Sequence, residues 1–117
     1  MIYQSMSGDA GEGTGTFTAK DSTLKIDSDS EYYSSAPFFF ITNTNAVINL
    51  ENNNIEYGSN ILLKAAATTE WGKTGSNGGV VTLNASNQKL VGNIEIDKIS
   101  EAQINLKNSS SWEGKIN

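Results

Sequence analysis

Four short apolar-polar-apolar triplets recur along this chain, and their spacing constrains the fold more than any other feature. They are Leu24-Lys25-Ile26, Ile48-Asn49-Leu50, Val81-Thr82-Leu83 and Ile104-Asn105-Leu106, with first residues 24, 33 and 23 positions apart. Alternation of apolar and polar residues is typical of strands with one buried face. A repeat at this spacing therefore predicts strands that return to the same place in successive structural units.

The longest spacing contains an insertion. Residues 68–79, TTEWGKTGSNGG, are rich in glycine and carry no apolar periodicity, and removing most of them restores a period near 23. The sequence therefore predicts an all-β fold, a parallel β-helix (β-solenoid) with about four to five coils of roughly 23 residues and one inserted loop. Residues 1–117 are interpreted as one solenoid segment of a longer repeat protein, since neither end carries a capping pattern.

The polar clusters that follow the triplets predict the corners of these coils. Asparagine suits such corners because it tolerates a left-handed backbone, and amides stacked at the strand spacing of about 4.8 Å can bond along the stack. The alternative is that they are exposed turn residues without a ladder. The predicted corner residues are Asn52, Asn53, Asn54, Asn84, Asn87 and Asn108.

Composition excludes several classes of function. The chain has no cysteine, no histidine and no arginine, which removes the usual nucleophilic triads and imidazole-based zinc sites. Its net charge of -5 argues against nucleic acid as a partner. No apolar run approaches the length of a membrane span, so membrane insertion is not expected.

Three stretches carry a resemblance to a known family: PFFFITNTNAVINLENNNI, KAAATTEWGKTGSNGGVVTLNASNQKLVGNI and INLKNSSSWEGKIN. They resemble the right-handed parallel β-helix proteins of the pectate-lyase-like superfold, and the chain is similar to adhesin-like surface proteins of bacteria. The resemblance implies an extracellular or cell-surface location in a bacterium, with neighbouring coils of a longer chain as partners. That superfold hosts lyases, hydrolases, adhesins and stalks, so the resemblance specifies no activity.

Aromatic residues near turns are the candidate ligand-binding residues. An exposed aromatic face can pack against the apolar C–H face of a sugar ring, while nearby amides and hydroxyls bond the sugar hydroxyls. The alternative is a structural role, with Trp71 covering a neighbouring coil and Trp112 packed in the core. The candidates are Trp71, Trp112, Tyr57, Tyr32 and Tyr33.

Acidic residues supply a candidate metal site. Asp27, Asp29 and Glu31 alternate in the stretch DSDSE, and calcium accepts such clusters of oxygen ligands. The glycine and glutamate of an EF-hand loop are missing, because Tyr32 and Phe38 stand at those positions. No cofactor is expected, a loose calcium site is the weaker possibility, and an acidic surface turn is the alternative.

The leading hypothesis is a non-catalytic segment of an extracellular adhesin-like protein, a stalk with weak affinity for glycans or a host surface. One alternative is a polysaccharide-acting hydrolase or lyase that uses Glu95 and Asp97, which alternate in one predicted strand. A second alternative is a purely structural solenoid whose exposed strand edges associate end to end.

Overall fold

The computed structural model of the protein describes residues 2–4, 14–68 and 75–117. Twelve strands and no helix lie within these ranges. The strands are β1 (Ile2–Gln4), β2 (Thr14–Lys20), β3 (Thr23–Lys25), β4 (Phe39–Thr42), β5 (Thr44–Glu51), β6 (Asn54–Glu56), β7 (Ile61–Ala65), β8 (Gly79–Ser86), β9 (Lys89–Val91), β10 (Asn93–Ile96), β11 (Glu101–Lys107) and β12 (Ser111–Glu113).

These strands form four separate sheets, and the paired strands in them run parallel. Two sheets have four strands, in the orders β1-β4-β7-β10 and β2-β5-β8-β11. The other two sheets have two strands each, β3-β6 and β9-β12. Every third strand of the chain therefore returns to the same sheet in the two larger sheets.

The prediction of a single parallel β-helix with coils of roughly 23 residues was wrong. The described residues are all-β, but they form four separate small sheets rather than one solenoid. The separation between paired residues also varies: Thr14 pairs with Asn45, Val80 with Glu101, and Asn49 with Asn84, which are 31, 21 and 35 residues apart.

The triplets predicted the wrong register because alternation has a period of two. This period fits any half-buried strand and does not fix which residues of two strands face each other. Leu24 pairs with Ile55 in the small sheet β3-β6, and Phe17 is the residue that pairs with Ile48. Ile48 in turn pairs with Leu83 and not with Val81, two positions away from the predicted register. A residue shift of two keeps the same face buried, so the pattern alone could not distinguish the two registers.

The hydrophobic core is built mainly from the inward faces of the two larger sheets, and Leu90 of β9 joins it from a smaller one. Along β5 and β8 buried and partly buried residues alternate strictly, apart from exposed Val80, as the period of a pleated strand requires. Ile48 and Leu83 stack on one sheet, while Phe39 and Leu63 stack on the other, and each is at most 2 % exposed. Burial of side chains this large stabilises the fold by about 1.5–3 kcal/mol each.

A ladder of side-chain amides crosses the sheet β2-β5-β8-β11 on its partly exposed face. Asn105 Nδ2 donates to Asn84 Oδ1 at 2.8 Å, and Asn84 Nδ2 donates to Asn49 Oδ1 at 2.9 Å. Asn49 Nδ2 continues the series to Thr18 Oγ1 at 3.2 Å. Asn84 was predicted at a corner and lies instead inside β8, where its neighbours in the ladder are the central residues of two triplets.

The corner that follows this sheet is formed by residues with a left-handed backbone. Asp21, Asn52, Asn87 and Asn108 have φ angles of 53°, 52°, 47° and 50° and directly follow β2, β5, β8 and β11. Asparagine and aspartate adopt this conformation at lower cost than other residues with a side chain. Asn52 Nδ2 also donates to Asp21 Oδ1 at 2.8 Å, so two of the stacked corner residues are bonded to each other.

Replacing Asn84 with alanine removes two bonds of the amide ladder, whereas replacing Asn105 removes one ladder bond, to Asn84, and a bond that Asn105 accepts from the exposed Gln103 side chain at 3.2 Å. We expect Asn84→Ala to lower the free energy of unfolding by about 2 kcal/mol and Asn105→Ala by about 1 kcal/mol, because each net hydrogen bond contributes about 1 kcal/mol and the exposed bond from Gln103 contributes little. Urea unfolding followed by circular dichroism measures both. An Asn84→Ala variant as stable as the wild type would show that the ladder does not stabilise the sheet.

Candidate functional site

A groove opens between strands β6 and β9. These strands follow β5 and β8 around the same corner, and β5 and β8 are paired along their whole length. Nevertheless β6 pairs with β3 and β9 pairs with β12, and no ladder joins β6 to β9 in the part of the chain that the structure describes. The groove has a volume of about 620 Å³ and its lining includes Tyr33, Asn54, Glu56, Tyr57, Lys89 and Val91.

The groove arises because two connected segments differ in length. Glu51 pairs with Ser86 before the corner, and Ile61 pairs with Asn93 beyond it. The segment from Glu51 to Ile61 is therefore three residues longer than the segment from Ser86 to Asn93. Since both ends are held in register, the extra residues cannot align with a partner, and β6 separates from β9.

A buried glutamine closes the groove at the corner end. The backbone N–H of Asn53 donates to Gln88 Oε1 at 2.7 Å, and Gln88 Nε2 donates to the Asn53 carbonyl at 2.9 Å. Gln88 Nε2 also donates to the Lys89 carbonyl at 3.0 Å, and the Gln88 side chain is only 1 % exposed. The carboxamide thus occupies the space that a backbone peptide group would fill in a continuous sheet.

The Asn53 side chain bonds in both directions, to Gln88 Oε1 through its Nδ2 at 3.2 Å and also towards β2. Asn53 Nδ2 donates to the Ala19 carbonyl at 3.0 Å, and Asn53 Oδ1 accepts from the Ser22 N–H at 3.0 Å. Asn53 therefore ties the corner to β2 on one side and to Gln88 on the other, which fixes the position of this end of the groove.

A tyrosine closes the other end. The Tyr57 hydroxyl donates to the Val91 carbonyl at 2.7 Å, and the Tyr57 ring packs against Phe38 with ring centres 5.4 Å apart. Burial raises the pKa of Tyr57 to about 12. The hydroxyl therefore stays protonated and keeps donating to Val91 throughout the neutral and moderately alkaline range.

One wall of the groove carries an aromatic face with polar groups beside it. Tyr33 lies so close to Gly58 that a Cβ added there would be 2.4 Å from Tyr33 Cε1, so a larger residue at this position would displace the ring. The Gly58 N–H also donates to the Tyr33 carbonyl at 3.1 Å. Asn54 Nδ2 donates to Glu56 Oε2 at 3.3 Å on β6, and Lys89 lies on β9.

The structure brings together two of the predicted aromatic residues, Tyr33 and Tyr57, in this groove. Tyr32 is 61 % exposed and is not among the lining residues. Trp112 packs against the core beside β9, and its Nε1 donates to the Gly92 carbonyl at 2.9 Å. Trp71 lies outside the described residues.

The predicted calcium ligands lie on an exposed turn between β3 and β4. Asp27 Oδ1 accepts from the Asp29 N–H at 3.0 Å, a local bond that shapes the turn. Asp27, Asp29 and Glu31 are all exposed. In residues 14–68 and 75–117 no three carboxylate or other metal-ligating side chains form a group that could hold a metal ion.

The two carboxylates of the enzyme alternative, Glu95 and Asp97, line a small cavity of about 260 Å³. Glu95 Oε1 lies 4.0 Å from Lys64 Nζ. Burial opposes ionisation of Asp97, but hydrogen bonds from the Ser100 hydroxyl and from the Ala67 and Ile99 N–H groups outweigh it and lower the Asp97 pKa. A general acid needs a raised pKa, so Asp97 is not suited to that role.

Sequence reasoning missed Gln88, although it singled out the neighbouring Asn87. The residues that follow the left-handed corner position are Ser22, Asn53, Gln88 and Ser109, and all of them are polar. Asn53 and Gln88 are partly or fully buried and bond between corners, whereas Ser22 and Ser109 are exposed. A polar residue at this position therefore does not by itself indicate an inward hydrogen-bonding role, which is why the sequence did not single out Gln88.

No family model, curated protein or solved structure matches the chain. Among the described residues no helix is long and apolar enough to cross a membrane.

Replacing Tyr57 with phenylalanine removes the bond to Val91 while keeping the ring against Phe38. We expect a loss of about 1 kcal/mol in the free energy of unfolding at pH 7. Because the folded-state pKa is raised from 10.0 to about 12, Tyr57 also contributes stability that is present below pH 10 and lost as the pH rises to about 12. Urea unfolding between pH 7 and 12 should show a smaller alkaline loss for Tyr57→Phe than for the wild type.

A matched control for this variant is Tyr32→Phe, since Tyr32 is exposed and lies outside the groove. Its stability at pH 7 should equal that of the wild type. An equal loss in the two variants would contradict a structural role for the Tyr57 hydroxyl.

Replacing Asp97 with asparagine weakens the bonds from Ser100, Ala67 and Ile99, which favour the ionised carboxylate. We expect Asp97→Asn to be less stable than the wild type by about 1 kcal/mol at pH 7. The Asp97 pKa is lowered in the folded state, so its contribution is present above the ordinary value of 3.8 and is lost as the pH falls through the lower folded-state pKa. The free energies of unfolding of the two proteins should therefore converge as the pH falls. A difference in free energy that stays constant down to pH 2 would contradict this.

Proposed function

We propose that this chain is a non-catalytic glycan-binding segment of a bacterial surface protein, and that the groove between β6 and β9 is where the glycan binds. The observation that carries the proposal is the Tyr33 ring, held against Gly58 on the groove wall beside the bonded pair of Asn54 and Glu56. An aromatic face with amide and carboxylate groups beside it matches a sugar ring, which is apolar on its faces and polar at its edge.

The size and stiffness of the groove support this role. Its volume of about 620 Å³ falls within the range of about 300–1,000 Å³ that small-ligand sites occupy. Both ends are fixed by internal hydrogen bonds, through Gln88 at the corner and through Tyr57 at the opposite end. A groove held in this way loses little conformational freedom when a ligand binds, which favours affinity.

The charges favour a neutral glycan. Lys89 and Glu56 place one positive and one negative side chain on opposite sides of the groove, so they leave no net charge between them. The chain as a whole has a net charge of -5, which disfavours a polyanionic partner.

The non-catalytic role is supported by the composition. Histidine, cysteine and arginine are absent, which removes the usual nucleophilic triads. The location at a bacterial surface rests on the sequence resemblance alone.

The test is a glycan array with the wild type and three single variants. We expect Tyr33→Ala to raise the Kd at least tenfold, because it removes the aromatic wall, whereas exposed Tyr32→Ala should bind like the wild type. Trp71→Ala tests the insertion, residues 68–79. A loss of glycan binding confined to that variant would indicate that the site lies in the insertion and not in the groove. Wild-type protein that binds no glycan would overturn the proposal.

A further inference from the structure

We infer that the groove recognises its sugar through an amide, which makes N-acetylated sugars its ligands; this inference rests on the glycan-binding role proposed above. The acetamido group of such a sugar would enter between β6 and β9. There it would bond to backbone groups that the interrupted sheet leaves facing the groove.

The first of these backbone groups lie on β6. The Asn54 N–H donates to the Ser22 carbonyl at 2.8 Å, and the Glu56 carbonyl accepts from the Ile26 N–H at 3.0 Å. Asn54 and Glu56 therefore direct their backbone groups towards β3. Since successive residues of a strand bond to opposite sides, Ile55 directs its N–H and its carbonyl towards the groove.

The second set lies on β9. The Gly92 N–H donates to the Glu113 carbonyl at 2.9 Å on β12, so Lys89 and Val91 direct their backbone groups the other way, towards the groove. The Lys89 and Val91 carbonyls are already bonded, by Gln88 and Tyr57 respectively. Among the described strands β9 pairs with β12 alone, which leaves the N–H groups of Lys89 and Val91 as the donors on the edge that faces the groove.

The protein itself shows which group fits between these edges. The Gln88 carboxamide bonds to Asn53 through both its oxygen and its nitrogen, at 2.7 and 2.9 Å. One step further along the groove the same kind of bonding is available to a ligand. Its amide N–H would meet the Ile55 carbonyl, and its amide oxygen would meet the N–H of Lys89 or Val91.

An extended peptide is the other ligand that carries amides, and the groove does not suit it. Each strand edge here spans three residues, about 10 Å at 3.3 Å per residue. Gln88 and Tyr57 close the two ends of this stretch, so a chain running along the strands would meet both of them. A single amide that enters from solvent, with its sugar ring against Tyr33, avoids both obstructions.

Two tetrasaccharides with the same β-1,4 linkage test the inference. They are the tetramer of N-acetylglucosamine and the tetramer of glucose, which differ at the acetamido position. Calorimetric titration of the wild-type protein should give a Kd at least tenfold lower for the acetylated tetramer. Equal Kd values would overturn the inference and keep the proposed function, whereas no binding of either tetramer and no binding on the glycan array would overturn both.

Amide signals in ¹H–¹⁵N spectra provide an independent measurement. The acetylated tetramer should shift the N–H signals of Ile55, Lys89 and Val91, while the glucose tetramer should shift them much less. A capped four-residue peptide serves as the comparison. Tighter binding of that peptide than of the acetylated tetramer would overturn the inference in favour of peptide recognition.

The Val91→Pro variant removes one groove-facing N–H without removing a bond to β12, and proline is accepted where a strand edge needs no donor. We expect it to lose most of the preference for the acetylated tetramer, whereas Val91→Ala should keep that preference. Full preference in a folded Val91→Pro protein would overturn a role for this donor. If the variant does not fold, Lys89→Pro with Lys89→Ala as its control makes the same test.

Discussion

The parallel, in-register pairing of β5 with β8 is the interaction on which the rest of this structure depends. Eight residues of each strand face each other, which places Ile48 on Leu83 in the core and Asn49 on Asn84 at the surface. One register thus satisfies two requirements at once, because apolar residues stack where water is excluded and amides stack where they can bond to each other. A shift by one residue would reverse both faces.

The groove is a consequence of that strict pairing. The sheets are in register before and after the corner, but the two segments that connect them differ in length by three residues. The extra residues must therefore be accommodated at the corner itself. They are accommodated by the separation of β6 from β9, and side chains form hydrogen bonds across the resulting gap. Gln88 and Tyr57 each supply a hydrogen bond that a backbone group would supply in a continuous sheet.

An interrupted sheet of this kind leaves backbone donors and acceptors facing a groove whose shape is fixed. Free strand edges usually attract other strands. Here the edges are short and closed at both ends, so the same groups are suited to a small polar ligand. The adjacent Tyr33 ring, supported by Gly58, adds an apolar surface to this polar recess. The proposals for a glycan and for its acetamido group follow from these two features together.

The sequence by itself determined the all-β class, a strand at each of the four triplets and the left-handed corners at Asn52, Asn87 and Asn108, because alternation of apolar residues and the backbone tolerance of asparagine are local properties. Asn52, Asn87 and Asn108 could be placed at corners from their neighbours alone. Only the tertiary structure decided the register, since a period of two fits several alignments equally well. It therefore also decided that Phe17 faces Ile48, that Asn84 joins a ladder, and that Gln88 and Tyr57 close a groove. These contacts join residues up to 35 positions apart, and no local pattern specifies them.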